Sequence, residues 1–213
     1  MKLGAKELRS SQPKRSDISR IKRREIYIIC DNVLDTYNIG SIFRLADAVA
    51  AKCVYLCGQS ETPPNSRIAK ASIGTDKWVP WEYASTAVEA IAELRSKFSL
   101  RSNNRPAHRH SGGSETTDRI SRDPIASLQD DRTGIKVIAI EQHPKAIDFR
   151  KTDYKRSFSS NSEPVAFVVG NETEGVSKEA LKLADQIVEI PMFGVNRSLN
   201  VMVSLAIVLF RAI

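Results

Sequence analysis

The sequence predicts an α/β fold in which a mostly parallel sheet is flanked by helices, and three observations support this prediction. Five short apolar runs have the length and β-branched content of buried strands. Segments with apolar residues on one helical face lie between several of these runs, which makes βαβ units and therefore parallel strand pairs. The chain of 213 residues with 41% hydrophobic side chains is long enough to bury a core, and its length favours one domain.

The first half of the chain alternates strand and helix. Residues 26–30 and 53–57 are predicted strands, and residues 38–51 between them are a predicted helix with apolar positions spaced for one face. Residues 62–80 are interrupted by prolines and a glycine and are predicted to form a loop. Residues 85–98 return to helical spacing.

The second half begins with a polar segment. Residues 99–133 lose the apolar pattern and are rich in Ser, Asn, Arg, Asp, Pro and Gly, which predicts a flexible insertion in a domain of residues 25–213. Three further strands are predicted, at residues 135–140, 165–169 and 187–190, with a helix between the last two. The terminal apolar run 201–210 is too short to span a bilayer and predicts a buried element.

Charge is concentrated at the amino terminus. The chain has 32 Lys and Arg against 25 Asp and Glu, a formal net charge of +7. Residues 1–24 hold nine basic and two acidic side chains, so this segment alone accounts for the whole excess. A basic arm with little apolar content suits the phosphate backbone of a nucleic acid, although a solubilising tail has the same composition.

Composition also limits the chemistry and the compartment. Cys30, Cys53 and Cys57 lie in strand-like runs without paired spacing, so core packing is predicted rather than disulfides. His108 and His110 lack Cys or acidic partners at ligand spacing, so no metal site is expected. No apolar window is long enough for a membrane helix, and no apolar stretch follows the charged amino terminus, so a cytoplasmic protein is expected.

The first candidate site is the start of the predicted helix 38–51. Asn38 is a suitable helix cap, and Gly40 keeps the first turn small. If Ile42 faces the core, Arg44 is directed outward on roughly the opposite side. Taken alone, such an arginine is also typical of a solvated surface pair, here with Asp47.

Two further candidate sites follow predicted strands. The turn 169–175 contains Glu172 and Glu174 but lacks phosphate-loop and dinucleotide spacings, so it suits an uncharged or cationic ligand better than a pyrophosphate. The segment 190–201 places Ser198 and Asn200 before an apolar helix, where capping alone explains either residue. We expect these two turns to lie side by side at the carboxyl ends of parallel strands, where α/β sheets bind ligands, and therefore expect a ligand site here.

The three segments together match one family in order and spacing. The sequence resembles the SPOUT superfamily of RNA methyltransferases, specifically the TrmH (SpoU) branch that methylates ribose 2′-hydroxyls. The resemblance covers about residues 25–98 and 134–213. It rests on three motifs, each weak alone but specific in combination: Asn38-x5-Arg44, Gly170-Asn-Glu172-x-x-Gly175, and Ile190-Pro-Met192 through Ser198-Leu-Asn200-Val.

This resemblance implies a carboxyl-terminal segment threaded through a loop as a deep trefoil knot, and a homodimer with its active site at the subunit interface. It also implies S-adenosylmethionine as the cofactor and a structured RNA, tRNA or rRNA, as the substrate. The cofactor-binding positions it implies are Gly170, Ile190, Met192 and Leu199. The catalytic positions it implies are Asn38, Arg44, Glu172, Ser198 and Asn200.

Residue chemistry suggests roles for these catalytic positions. We expect Arg44 to bind a phosphate and to stabilise negative charge on the 2′ oxygen, because a guanidinium holds its proton too firmly to act as a base. The side chains of Asn38, Ser198 and Asn200 are expected to orient the ribose. Glu172 is expected to fix Arg44 or the surrounding loop.

The chain departs from the family pattern in two ways. It has the insertion 99–133, and we expect no separate amino-terminal RNA-binding domain of the kind that many relatives carry. We therefore expect RNA to contact the basic arm, a groove of the dimer, and in one hypothesis the insertion.

Two other functions are open at this point. A knotted RNA-binding or ribosome-assembly factor would keep the fold without transferring a methyl group, although every matched catalytic position holds a competent residue. A plain nucleotide-binding module is disfavoured because phosphate-loop and dinucleotide spacings are missing. Titration with S-adenosylmethionine separates both alternatives from the methyltransferase.

Overall fold

The computed structural model describes residues 4, 7–8, 13–103, 134–152, 154 and 164–213. Seven strands form one sheet: β1 (Arg24–Asp31), β2 (Ala51–Cys57), β3 (Trp81–Ala84), β4 (Lys136–Ile140), β5 (Ile147–Asp148), β6 (Val165–Val169) and β7 (Gln186–Glu189). Their order in the sheet is β3-β2-β1-β6-β4-β7-β5, and every pairing between neighbours is parallel. The predicted α/β class with a parallel sheet is therefore confirmed.

Helices cover both faces of this sheet. The described part of the chain contains α1 (Arg15–Ser19), α2 (Thr36–Ala48), α3 (Ser66–Ser72), α4 (Ala87–Asn103), α5 (Lys178–Leu183) and α6 (Val201–Ala212). Alternate side chains of each central strand point to opposite faces, so two apolar clusters form. One lies under α2, α3 and α6, and the other lies under α4 and α5.

The central strands agree with the sequence because they are buried on both faces. β1, β4 and β6 are buried over most of their length, as expected for parallel strands whose apolar runs are nearly continuous. Cys30, Cys53 and Cys57 are buried free thiols, which confirms the prediction of core packing. Burial raises the pKa of the Cys53 thiol to about 12, so it is not a reactive thiolate.

The segment 62–80, predicted as a loop, instead contains α3 and a 3₁₀ turn at Thr75–Lys77. α3 has only one fully buried large side chain, Ile68, so it shows no readable period. It is held by the Asn65 side chain, which caps its amino end, and by close packing on α2. A Cβ on Gly40 of α2 would lie 2.6 Å from the Cβ of Ala71.

The predicted boundaries also differ in two places. The segment 99–133 was predicted as an insertion, but α4 continues to Asn103; residues 104–133, with His108 and His110, lie outside the described residues. In the predicted arm, Arg24 begins β1, and the Arg23 guanidinium donates hydrogen bonds of 3.0 and 2.7 Å to the carbonyl oxygens of Ala51 and Trp78. These two arginines are therefore part of the domain.

No helix within the described ranges is long and apolar enough to cross a membrane. The strands β3 and β5 were not predicted, because β3 is mostly exposed and β5 has only two residues, so neither forms an apolar run.

Candidate active site

The candidate site lies near the point in the sheet from which the following strands are added on opposite sides. After β1 the chain turns towards β2, whereas after β6 it crosses to β7 on the other side. β1 and β6 are adjacent, so this is the switch point of the sheet, near which parallel α/β sheets usually bind ligands. The turns after β6 and β7, expected to lie side by side, are separated by β4.

Glu172 connects the loop after β6 to the loop after β1. Its carboxylate accepts hydrogen bonds from the backbone N–H groups of Leu34 and Asp35, both at 3.1 Å, and from Nδ2 of Asn38 at 2.9 Å. Partial burial raises the pKa of this carboxyl, but the hydrogen bonds from Asn38 and the two N–H groups together lower the pKa by more. The pKa of Glu172 therefore lies below the ordinary value. Glu172 is therefore an anionic anchor for the start of α2.

Asn38 extends this connection to the carboxyl-terminal helix. Its Oδ1 accepts a hydrogen bond of 2.9 Å from Nδ2 of Asn200. Asn200 is the N-cap of α6, where its Oδ1 accepts from the backbone N–H groups of Met202 and Val203. Asn38 was predicted to be a helix cap, but α2 begins at Thr36 and is capped by Asp35. Buried Asn38 instead joins two segments that are far apart in sequence.

The loop after β6 is folded tightly on itself. Asn171 and Gly175 exchange backbone hydrogen bonds of 3.0 and 2.9 Å, and Gly175 has a φ of 73°. A Cβ on Gly170 would lie 2.0 Å from the carbonyl carbon of Gly175, so only glycine fits. The Glu141 carboxylate, at the end of β4, accepts from the N–H of Val176 at 2.8 Å and holds the far side of the loop.

A cavity of about 530 Å³ opens beside this loop, within the size range of small-molecule sites. It is lined by the ends of β4, β6 and β7 and by the segment that leads into α6. Seven predicted site residues line it: Gly170, Glu172, Ile190, Met192, Ser198, Leu199 and Asn200. The structure thus brings the second and third predicted segments together around one space.

Two predicted residues do not line the cavity. Asn38 reaches its border through the hydrogen bonds to Glu172 and Asn200. Arg44 lies on the exposed side of α2, outside the cavity, and forms no ion pair within the described ranges. The surface pair with Asp47 is absent, because the Asp47 carboxylate accepts from Nε1 of Trp78 at 2.8 Å.

Sequence reasoning missed the acidic residues at the strand ends. Glu141 and Glu189 line the cavity from β4 and β7. Buried Asp31, at the end of β1, accepts from the N–H of Ser177 and thereby fixes the start of α5. Asp31 and Glu141 directly follow predicted strands and Glu189 lies near the end of a third, and these positions were the available signal, because parallel strand ends meet at one edge. The described residues contain no group of three or more potential metal ligands.

Comparison with known proteins gives a consistent picture. The sequence model of the SpoU rRNA Methylase family matches two overlapping stretches, residues 25–120 and 101–210. A tRNA (guanosine(18)-2'-O)-methyltransferase of Escherichia coli (strain K12) is 27% identical over 194 residues, which cover 90% of this chain and 64% of that protein. The enzyme of the same name from Aquifex aeolicus (strain VF5) is 26% identical over 192 residues, covering 90% of this chain and 70% of that protein. The chain thus spans less than two thirds of the length of the Escherichia coli relative.

Solved structures support the fold. The A. aeolicus TrmH/SpoU tRNA modifying enzyme superposes with a TM-score of 0.64 at 24% identity, covering 98% of this chain and 80% of that one. The SpoU methyltransferase AviRb from Streptomyces viridochromogenes, solved in complex with AdoMet, also gives 0.64, at 22% identity, with 91% of this chain and 62% of that one covered. At this identity the superpositions establish a shared fold.

Proposed function

The chain belongs to the SpoU rRNA methylase family, and on this premise we propose that it transfers the methyl group of S-adenosylmethionine to a ribose 2′-hydroxyl of tRNA or rRNA. The observation that carries the proposal is the convergence of Asn38, Glu172 and Asn200 beside the cavity. Relatives of 26–27% identity are named tRNA 2'-O-methyltransferases, and one of 24% identity is named a 23S rRNA (guanosine-2'-O-)-methyltransferase. A cytoplasmic location, where such an RNA is reached, is part of the proposal.

The cavity fits the proposed cofactor. Gly170 lines the cavity and lets the loop 170–175 fold tightly beside it, and Ile190, Met192 and Leu199 add apolar surface. The carboxylates of Glu141 and Glu189 favour a cationic ligand over a phosphate. When bound, S-adenosylmethionine supplies an electrophilic methyl group. The bound cofactor would be held by Gly170, Ile190, Met192 and Leu199, largely through backbone groups and apolar contact.

The remaining residues act on the RNA. Asn38, Ser198 and Asn200 orient the ribose, and Glu172 keeps the Asn38 loop in place, since it contacts that loop rather than Arg44. Arg44 holds a backbone phosphate and stabilises the negative charge that develops on the 2′ oxygen. Its guanidinium keeps its proton throughout.

A homodimer explains how Arg44 reaches this cavity. Arg44 is exposed outside its own cavity, so we propose that a second copy of the chain supplies it. Apolar side chains are exposed around the carboxyl-terminal segment, and a second copy would cover them: Phe193, Val195, Leu199, Val203, Phe210 and Ile213. Residues of the segment 190–201 line the same cavity as the loop 170–175, which supports the trefoil knot that we propose for residues 165–213.

Methyl transfer tests the proposal directly. Incubation with radiolabelled S-adenosylmethionine and unmodified tRNA or rRNA should give RNA labelled at a 2′ oxygen. Mapping ribose methylation in total RNA from a strain that lacks the gene should identify the nucleotide. Binding of RNA without uptake of S-adenosylmethionine would indicate the factor without transfer activity. Near wild-type turnover of Arg44→Lys at saturating RNA would contradict a role for the guanidinium fork.

Subunit mixing tests the shared site. Arg44→Ala and Ser198→Ala are each expected to be inactive, but a heterodimer of the two has one site with both side chains intact. A random mixture should therefore recover about a quarter of the wild-type activity, because in a two-fold dimer each site takes one residue from each chain. No recovery, with heterodimers present by mass spectrometry, would place both residues in the same subunit's site.

A further inference from the structure

A second cavity lies apart from the proposed transfer site, beside α3. It has a volume of about 460 Å³, which is sufficient for a small planar ligand. Its lining residues are Pro63, Pro64, Asn65, Ser66, Ala69, Asp76, Lys77 and Trp81, and we call it the α3 cavity. None of these residues belongs to the three motifs of the transfer site.

Trp81 gives the α3 cavity an aromatic wall. Part of its ring packs against the apolar cluster under α2, α3 and α6, which holds the indole in place. Its indole N–H has no hydrogen-bond partner among the described residues and is not buried. A fixed aromatic face with a free donor at the mouth of a cavity is suited to stacking on a planar polar ring.

The polar groups of the α3 cavity favour a base over a phosphate. Asp76 is buried, and one carboxylate oxygen accepts a hydrogen bond from the Ser72 hydroxyl. A carboxylate in the wall repels an anionic group but accepts the N–H donors of a base edge, such as those of guanine. The rim is basic, since Lys77 lines the cavity and Arg67 and Lys70 are exposed on α3.

The α3 cavity is also close to Arg44. Gly40 and Arg44 are four residues apart on α2 and therefore share a helix face. Gly40 is packed against α3, where its Cβ would lie 2.7 Å from the carbonyl oxygen of Ile68. Ala69 lines the cavity from another side of α3, so the cavity and the Gly40 contact are separated by about one helix diameter, roughly 10 Å, and Arg44 lies about one helical turn, roughly 5 Å, further along α2. A strand held at Arg44 can span this distance within a few nucleotides.

We propose that the α3 cavity binds an unpaired nucleobase of the RNA substrate, close to the methylated nucleotide. This inference rests on the proposed function, because it takes RNA as the substrate. The base stacks on Trp81, its N–H edge faces Asp76, and the cations of the rim hold the neighbouring phosphates. Recognition of an unpaired base restricts the enzyme to loops of folded RNA.

Filling the cavity tests the proposal. Ala69→Leu should raise the Kd for an unmodified tRNA transcript about 5- to 150-fold, the value of one lost stacking contact. The Kd for S-adenosylmethionine should not change. Ala92→Leu is the matched control, because Ala92 is a half-buried alanine of α4 on the opposite face of the sheet, and it should alter neither constant.

A second measurement does not depend on the folding of that variant. Guanosine at millimolar concentration should quench the tryptophan fluorescence of the wild-type chain and of Trp78→Phe but not that of Trp81→Phe. Equal RNA binding by Ala69→Leu and Ala92→Leu would contradict the proposal that the α3 cavity binds a base. Absence of quenching by guanosine would also contradict it and would indicate a protein partner instead. If the wild-type chain fails to bind S-adenosylmethionine or to transfer a methyl group, the proposed function fails instead, and the quenching still decides the α3 cavity.

Discussion

Replacement of Glu172 by alanine tests whether this residue is a structural anchor or an ordinary exposed carboxylate. Three hydrogen bonds are lost, two to the N–H groups of Leu34 and Asp35 and one to Nδ2 of Asn38. Because the site is exposed, water replaces each bond in part, so we expect about 0.5 kcal/mol per bond and about 1–2 kcal/mol in total. This corresponds to a fall in Tm of about 2–8 °C for a domain of this size.

The effect on activity should be larger than the effect on stability. Without Glu172, Asn38 loses the hydrogen bond that sets its orientation beside Asn200, and a displacement of about 1 Å in a site of this kind costs about 10²-fold in rate. Glu174→Ala is the matched control, because Glu174 lies exposed in the same loop and its carboxylate has no hydrogen-bond partner among the described residues. Thermal unfolding followed by circular dichroism and single-turnover methyl transfer give the two quantities. If Glu172→Ala melts and reacts as Glu174→Ala does, Glu172 is not an anchor.

Three further predictions concern the cavity loop, the basic arm and pH. Gly170→Ala should weaken binding of S-adenosylmethionine at least about 10-fold by calorimetry, because its Cβ meets loop backbone at 2.0 Å, whereas Gly194→Ala, with open space around it, should bind normally. Deletion of residues 1–20, which leaves the domain contact of Arg23 intact, should weaken RNA binding and flatten its dependence on salt; an unchanged slope of log Kd against log salt would count against an RNA-binding arm. The pKa of the Glu172 carboxyl is lowered from 4.5 in the folded protein. The ionised carboxylate therefore stabilises the fold fully above pH 4.5, and this stabilisation is lost as the pH falls through the lower pKa of the folded state. The Tm difference between wild type and Glu172→Gln should therefore be constant from about pH 6 to 8 and shrink only below pH 4.5, and a difference that changes near neutrality would contradict this.

The central sheet was predictable because burial on both faces leaves a continuous apolar run. β1, β4 and β6 match the predicted runs within two residues. The elements α3, β3 and β5 were missed, because α3 buries only one large side chain, β3 is mostly exposed and β5 has only two residues. Tertiary contacts stabilise α3, above all its packing against Gly40.

The candidate site was predictable as a set of segments but not as a geometry. Family spacing pointed to Ser198, Asn200 and Glu172, and the structure places all three at one cavity. Nothing in the sequence indicated that Asn38 would bond Glu172 and Asn200 rather than cap its helix. Asp35 takes the cap, which leaves the Asn38 amide available.

The sequence alone determined the class of fold, the order along the chain of five of the seven strands of the sheet and the residue types available for chemistry, because these follow from local apolar runs and motif spacing. Only the tertiary structure decided which of those residues meet. Asn38 and Asn200 are 162 positions apart, and their contact arises because the sheet brings β1 next to β6 and lays α6 beside α2. The tertiary structure also placed Arg44 outside its own cavity. Helical spacing shows which side of a helix a residue faces, but it does not show what lies opposite that side.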